Sequence, residues 1–151
     1  MTFAVHKNQG YTIFELLIVM AILGVLFSFG VLSVKGLNND AGNAGSIIRA
    51  SFLEVRAQAL STSSGRQVSL NAGKLIFRRV DDCASLANPQ TLPTPELPSG
   101  VTLSAQGSNW NVCFVPRGTL QTSPIGPLTV MDGRGRTKTL TLYLTGSVIL
   151  Q

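Results

Sequence analysis

A single carboxylate stands at the mouth of the longest uncharged run in the chain, and that juxtaposition limits what the N-terminal segment can become. Glu15 directly precedes Leu16–Val34, nineteen residues without an Asp, Glu, Lys or Arg. As a helix rising about 1.5 Å per residue the run would span about 28 Å, close to the hydrocarbon core of a bilayer. A carboxylate carried into hydrocarbon costs roughly 2.5 to 3.5 kcal/mol at a helix centre and less near an end, so it is usually kept for a partner or a task. His6 and Lys7 lie on the N-terminal side of the run, which places that end in the cytoplasm and the remainder outside it. Gly24, Ser28 and Gly30 interrupt the bulky residues and let neighbouring helices approach closely. One crossing is expected, with no second candidate. The first proline is Pro89, so nothing predicts a proline kink in this helix.

Two simpler readings fit the segment less well or leave its acid unexplained. A secretory signal has an apolar core of roughly 7 to 15 residues and a small-residue cleavage site. This run is longer, its flank Lys35-Gly36-Leu37-Asn38-Asn39 offers no such site, and no cysteine follows for lipid attachment. An uncleaved anchor, with Glu15 snorkelling to the headgroups, stays open as an alternative.

The residues from Gly36 onward suffice for one modest domain. The charge balance is 12 Lys and Arg against 7 Asp and Glu, with only 13% of residues charged. Such a mild excess permits contact with anionic surfaces without demanding it. From Asp40 to about Thr62, Ala44, Ile48, Phe52, Val55 and Ala59 recur at helical spacing, while Arg49, Glu54 and Arg56 lie off that stripe. A soft joint is expected over Gly36–Gly45, and Ser61–Gly65 should end the helix. Strands are expected over Gln67–Leu70, Lys74–Val80, Val101–Ala105, Trp110–Val115, Leu128–Met131, Thr139–Leu144 and Ser147–Leu150. Asn71-Ala72-Gly73 and Thr145-Gly146 supply hairpin turns. Pro89, Pro93, Pro95 and Pro98 make Asp81–Gly100 a surface loop. The fold class is therefore α+β: a long N-terminal helix, transmembrane in one half and amphipathic in the other, packed on antiparallel sheet.

The stretch Gly10-Tyr11-Thr12-Ile13-Phe14-Glu15-Leu16-Leu17 resembles the cleavage and methylation motif of type IV prepilins and type II secretion pseudopilins. That resemblance implies a leader at 1–10, a transmembrane and assembly helix at 11–35 and an extracytoplasmic pilin-like domain at 36–151. It implies cleavage by a prepilin peptidase between Gly10 and Tyr11, N-methylation of Tyr11, and pairing of Glu15 with the N-terminal amine of a neighbouring subunit. Tyrosine stands where phenylalanine is commoner in the family. The implied partners are other pilins or pseudopilins, an inner-membrane assembly platform, and membrane lipid before assembly. The order of elements is similar to the GspH/FimT group of minor pilins, as are Val55-Arg56-Ala57-Gln58-Ala59, Gly65-Arg66-Gln67-Val68, Trp110 and Asp132-Gly133-Arg134-Gly135. The resemblance implies a structural subunit that primes or caps a filament, without catalytic residues, cofactor or metal.

Cys83 and Cys113 are the only cysteines. Outside the cytoplasm a bridge between them would close a loop worth about 3.7 kcal/mol in the chain-entropy model, against the alternative of two separate thiols. Catalytic signals are sparse. The one histidine, His6, falls in the leader, so the mature chain offers neither a serine triad nor a histidine metal site. Asp81-Asp82 reads as a solvated turn rather than a cation site, since the rest of an oxygen ligand set is missing. Arg134, Arg136 and Lys138 cluster on a glycine-flexed turn and suit backbone phosphates, which makes DNA a candidate partner. Some FimT-branch proteins bind DNA through a Gly-Arg-x-Arg motif that the resemblance puts in the final hairpin. Here the final hairpin reads Gly146-Ser147-Val148-Ile149, while Gly133-Arg134-Gly135-Arg136 lies earlier. An ordinary solvated β-turn is the alternative reading of that cluster.

Overall fold

The computed structural model describes residues 12–37, 39–107, 109–122 and 126–151, with side chains of the first helix as far as residue 26. The expected leader and the Gly10–Tyr11 junction lie outside the described residues. The chain divides into two compact units, with the boundary between Asn38 and Asn39.

The first unit contributes α1, Ile13–Leu37. All its described side chains, from Ile13 to Leu26, are exposed, including Ile13, Phe14, Leu16, Leu17, Met20 and Ile22. Among the described residues no helix is long and apolar enough to cross a membrane. The span expected over Leu16–Val34 continues past Leu26 and so beyond the described side chains.

In the second unit, α2 covers Asp40–Thr62. Asn39 caps it, its side-chain oxygen accepting from the Gly42 amide at 3.0 Å, which satisfies one of the unpaired N–H groups of the first turn. The joint between the helices is thus narrower than the glycine pattern over Gly36–Gly45 suggests, because Gly42 and Gly45 are helical. Gly45 is buried, and a Cβ there would lie 2.8 Å from a Leu150 methyl. Close packing rather than flexibility is its role. The apolar stripe Ala44, Ile48, Phe52, Val55 and Ala59 is buried. The helix ends within the expected Ser61–Gly65, with Ser63 rather than the glycine taking the left-handed conformation at φ 49°. Gly65 instead opens the first strand, where a Cβ would meet Val80 at 2.8 Å and Cys83 Sγ at 3.0 Å.

Among the described residues eight strands follow: β1 Gly65–Asn71, β2 Lys74–Val80, β3 Gln90–Thr91, β4 Thr102–Ala105, β5 Asn111–Phe114, β6 Leu128–Met131, β7 Thr137–Leu142 and β8 Val148–Leu150. They divide between two four-stranded sheets, ordered β3-β2-β1-β5 and β4-β6-β7-β8, with antiparallel pairing throughout. β1 and β2 are joined by Ala72 and Gly73, both with positive φ, the requirement of a two-residue turn that matches strand twist. β7 starts and ends two residues before the expected Thr139–Leu144, and the turn into β8 occupies Tyr143–Gly146, closed by Gly146 N–H to Tyr143 O at 2.8 Å. Leu120 links the sheets: it bridges Phe114, and its N–H donates to Leu144 O at 2.9 Å.

α2 lies against strands of both sheets. Phe52 is the hub of the core, with ring centroids 6.3, 6.2 and 6.4 Å from Phe77, Trp110 and Phe114. These separations suit tilted and edge-on aromatic packing. Trp110 is buried, and its indole N–H donates to Gly126 O at 3.2 Å.

Candidate functional site

At the start of α1, the Glu15 carboxylate turns back onto Thr12. Oε2 accepts from the Thr12 amide at 3.0 Å and from its hydroxyl at 3.2 Å, while the Glu15 amide donates to Thr12 Oγ1 at 3.3 Å. This is a reciprocal capping box. Each side chain satisfies a backbone donor that the first helical turn leaves unpaired, and the carboxylate sits at the positive end of the helix dipole. Glu15 is the only charged residue between Ile13 and Leu26. The site is therefore one acid, held at the tip of a helix whose described side chains are otherwise exposed and apolar. Sequence reasoning assigned Thr12 no role, although Thr-x-x-Glu ahead of an apolar run carried the signal.

The basic turn between β6 and β7 is built around Asp132. Its carboxylate is buried; Oδ1 accepts from the amides of Arg134 at 2.9 Å and Arg136 at 3.0 Å, and Oδ2 accepts from Arg136 Nε at 2.7 Å. Backbone bonds from Gly135 N to Asp132 O and from Asp132 N to Arg136 O close the turn, and Gly135 supplies the positive φ of 77°. Burial pushes the Asp132 carboxyl up, but the amides of Arg136 and Arg134, with the hydrogen bond and charge of the Arg136 guanidinium, pull it below its ordinary value. The three sequence-predicted cations occupy one end of the sheet in different settings. Arg134 is exposed, Arg136 is ion-paired with Asp132, and Lys138 is half-buried opposite Val130. Lys138 shares its face of β7 with Leu140 and Leu142.

Cys83 and Cys113 form a disulfide with Cα atoms 5.8 Å apart. It ties the loop after β2 to β5 and packs with Val80 and Val115 in a small apolar cluster of its own. Asp81 Oδ2 accepts from Asn88 Nδ2 at 2.7 Å, and among the described residues no group of three acidic, histidine or cysteine side chains could hold a metal.

Two further arginines organise the domain. Arg66 is buried at the C-terminal end of α2, where its guanidinium donates to Ser64 Oγ at 2.7 Å, Thr62 Oγ1 at 2.9 Å, Gly65 O at 3.2 Å and, weakly, Gln58 Oε1 at 3.4 Å. Desolvation and the charge of Arg79, its cross-strand partner, hold its pKa below the usual arginine value. The last turn of α2 has no basic residue of its own, so Arg66 supplies the positive charge that a helix C-terminus favours. Arg56 reaches from α2 to Gly118 O at 2.8 Å and Thr145 O at 3.2 Å. For Arg66 the clue in the sequence was strand alternation, which puts it on the same face as Val68 and Leu70.

Residues 5–31 match the family model of the prokaryotic N-terminal methylation motif. That motif precedes an α+β domain with the architecture of the pilin fold. The domain is similar to the type IV minor pilin FimU of Pseudomonas aeruginosa (strain PAO1), known in two crystal forms. Against the P65 form the TM-score is 0.54 at 19% identity, covering 73% of this chain and 91% of that one. Against the P21 form it is 0.56 at 18% identity, covering 75% and 89%. At this identity the likeness is one of fold. No curated protein matches the chain in sequence.

Proposed function

We propose that the chain is a minor pilin or pseudopilin of the GspH/FimT type. It is cut by a prepilin peptidase between Gly10 and Tyr11, methylated on the new Tyr11 amine, and held in the cytoplasmic membrane through residues 11–35 with its domain outside. From there an inner-membrane assembly platform passes it into a type IV pilus or a secretion pseudopilus, where it primes or caps the filament alongside other pilins. The observation that carries this reading is Glu15, the only charge among the described side chains of an exposed apolar helix, placed at its first turn. An acid there can pair with the ammonium of a neighbouring chain and so select register as well as partner.

The outer face of α2 supports the same reading. Asn43, Ser46, Ala50, Leu53, Ala57 and Leu60 are exposed and recur at alternating steps of three and four, the seam spacing along which helices pack.

Glu15→Gln tests the proposal: the variant should insert and be processed like the parent, yet be lost from sheared filaments. Normal incorporation of Glu15→Gln would sink the role given to Glu15. The intact mass of the membrane-extracted protein separates this reading from an uncleaved anchor, because only the processed form begins at Tyr11.

A second reading, a DNA-binding minor pilin, draws on the exposed Arg134 and the neighbouring Arg136 and Lys138. Against it stands the use of Arg136 Nε by Asp132. Duplex binding that weakens with salt and is lost in Arg134→Ala would favour it; no binding at low salt would dismiss it.

A further inference from the structure

The sheet β4-β6-β7-β8 has one face in the core and one in solvent. Strand alternation sends Leu103, Val130, Leu140 and Leu142 inward, where they are buried. The opposite face carries a continuous polar row. Ser104 is opposite Thr129, and Thr129 is opposite Thr139. Thr139 in turn exchanges two backbone bonds with Gln151, at 3.0 and 2.9 Å, so the four side chains stand abreast. At about 4.8 Å per strand the row is roughly 14 Å long. Met131 flanks it on one side and Ile149 on the other, both exposed.

Among the described residues the hydroxyls of Ser104, Thr129 and Thr139 make no hydrogen bond. No outward side chain of these four strands is charged, since Lys138 shares the inner face with Leu140 and the arginines lie on the turn before β7. A polyanion would need a basic face, and a second sheet packed here would need an apolar one. This face suits a neutral ligand that is itself rich in hydroxyls: each threonine hydroxyl both donates and accepts, while its methyl meets C–H groups. One row away, Pro127, Thr141, Tyr143 and Leu144 line an open cavity of about 490 Å³. Its apolar wall beside the Thr141 hydroxyl fits a methyl group carried on an amide.

We propose that this face binds an extended, neutral, β-1,4-linked chain of N-acetylhexosamine. The chain lies across the strands over Ser104, Thr129, Thr139 and Gln151. Strand spacing there is close to the advance per ring of such a polymer, so successive rings meet successive side chains. The cavity at Thr141 and Tyr143 receives an acetamido group, its methyl against the apolar wall and its amide toward the Thr141 hydroxyl. Each contact is weak, and affinity comes from several rings engaging at once. The inference concerns the domain alone and does not depend on how the N-terminal segment is processed.

The test is titration of the isotope-labelled full chain, in zwitterionic detergent micelles, with chitohexaose, read from backbone amide shifts. Saturable shifts are expected over β6, β7 and β8. Cellohexaose, which lacks the acetamido groups, should bind more weakly, and maltohexaose, whose α-linked chain coils, should not bind. The double variant Thr129→Val/Thr139→Val keeps the β-branched shape and removes two hydroxyls, so its affinity should fall about tenfold or more at an unchanged unfolding midpoint. Thr129→Ser/Thr139→Ser should retain most of the affinity. Absence of saturable shifts, shifts confined to another part of the domain, binding of maltohexaose, cellohexaose binding as tightly as chitohexaose, or undiminished affinity in Thr129→Val/Thr139→Val would each overturn the proposal. So would concentration-dependent dimerisation lost in that variant, which would give the face to a second copy of the chain.

Discussion

Arg136 Nε and Asp132 Oδ2 stand 2.7 Å apart in a turn where the same carboxylate also binds the amides of Arg134 and Arg136. The acid organises the cations rather than the reverse, because its three bonds define the turn on which Arg134 is displayed.

Asp132→Asn should therefore lower the unfolding midpoint at neutral pH. The folded-state pKa lies below the unfolded one, so the stabilisation is present above the ordinary carboxylate range and is lost as pH falls through the folded value. Melting curves of parent and variant should separate at pH 7 and converge in acid. A gap that does not narrow with acidification would remove ionised Asp132 as the cause.

Gly146→Ala should destabilise the domain by about 1 to 3 kcal/mol. Gly146 sits at φ 78°, and a methyl there would run into the Gly118 carbonyl and the Arg56 guanidinium. Denaturant unfolding followed by fluorescence of Trp110, the sole tryptophan, reads the change.

Replacing both Cys83 and Cys113 by alanine should cost about 2 to 4 kcal/mol, mainly through a looser unfolded chain. The two residues lie 30 apart in sequence. Removing both avoids a lone thiol. The same Trp110 signal applies, because Trp110 lies close to Cys113 in the chain, and an unfolding midpoint unchanged from the parent would contradict the expectation.

Thr12→Ala should weaken the first turn of α1 by about 0.5 to 2 kcal/mol, whereas Thr12→Ser should retain most of the cap. Amide exchange in detergent micelles would register the difference as faster exchange confined to the first residues of the helix.

Legibility in the sequence followed the range of the interactions. The stripe from Ala44 to Ala59 is local and periodic, and it located α2 and its buried face. Lys74–Val80 and the turn before it were equally readable, since Ala72-Gly73 and strand alternation are short-range signals. What escaped depended on distant partners. β1 pairs with β5 across some forty residues, so nothing local reported that the strands divide between two sheets. β3 is only Gln90–Thr91 and exists because Arg78 and Arg79 are opposite it. Gly65 looked like a helix terminator, but contact with Val80 and Cys83 gave it to a strand and left the left-handed position to Ser63. At the site, Glu15 was legible because a charge beside an apolar run is conspicuous. Thr12 was legible only through its spacing to that charge, the Thr-x-x-Glu pattern of a capping box, and so was overlooked.

The cap at Asn39 makes the chain divisible. Because α2 begins with its own N–H acceptor at the boundary between the two units, residues 39–151 carry the signal that starts their first helix. An N-terminal segment can then be exchanged by splicing at Asn38 without rewriting the domain, which leaves the address of the protein and the shape of its head open to separate selection.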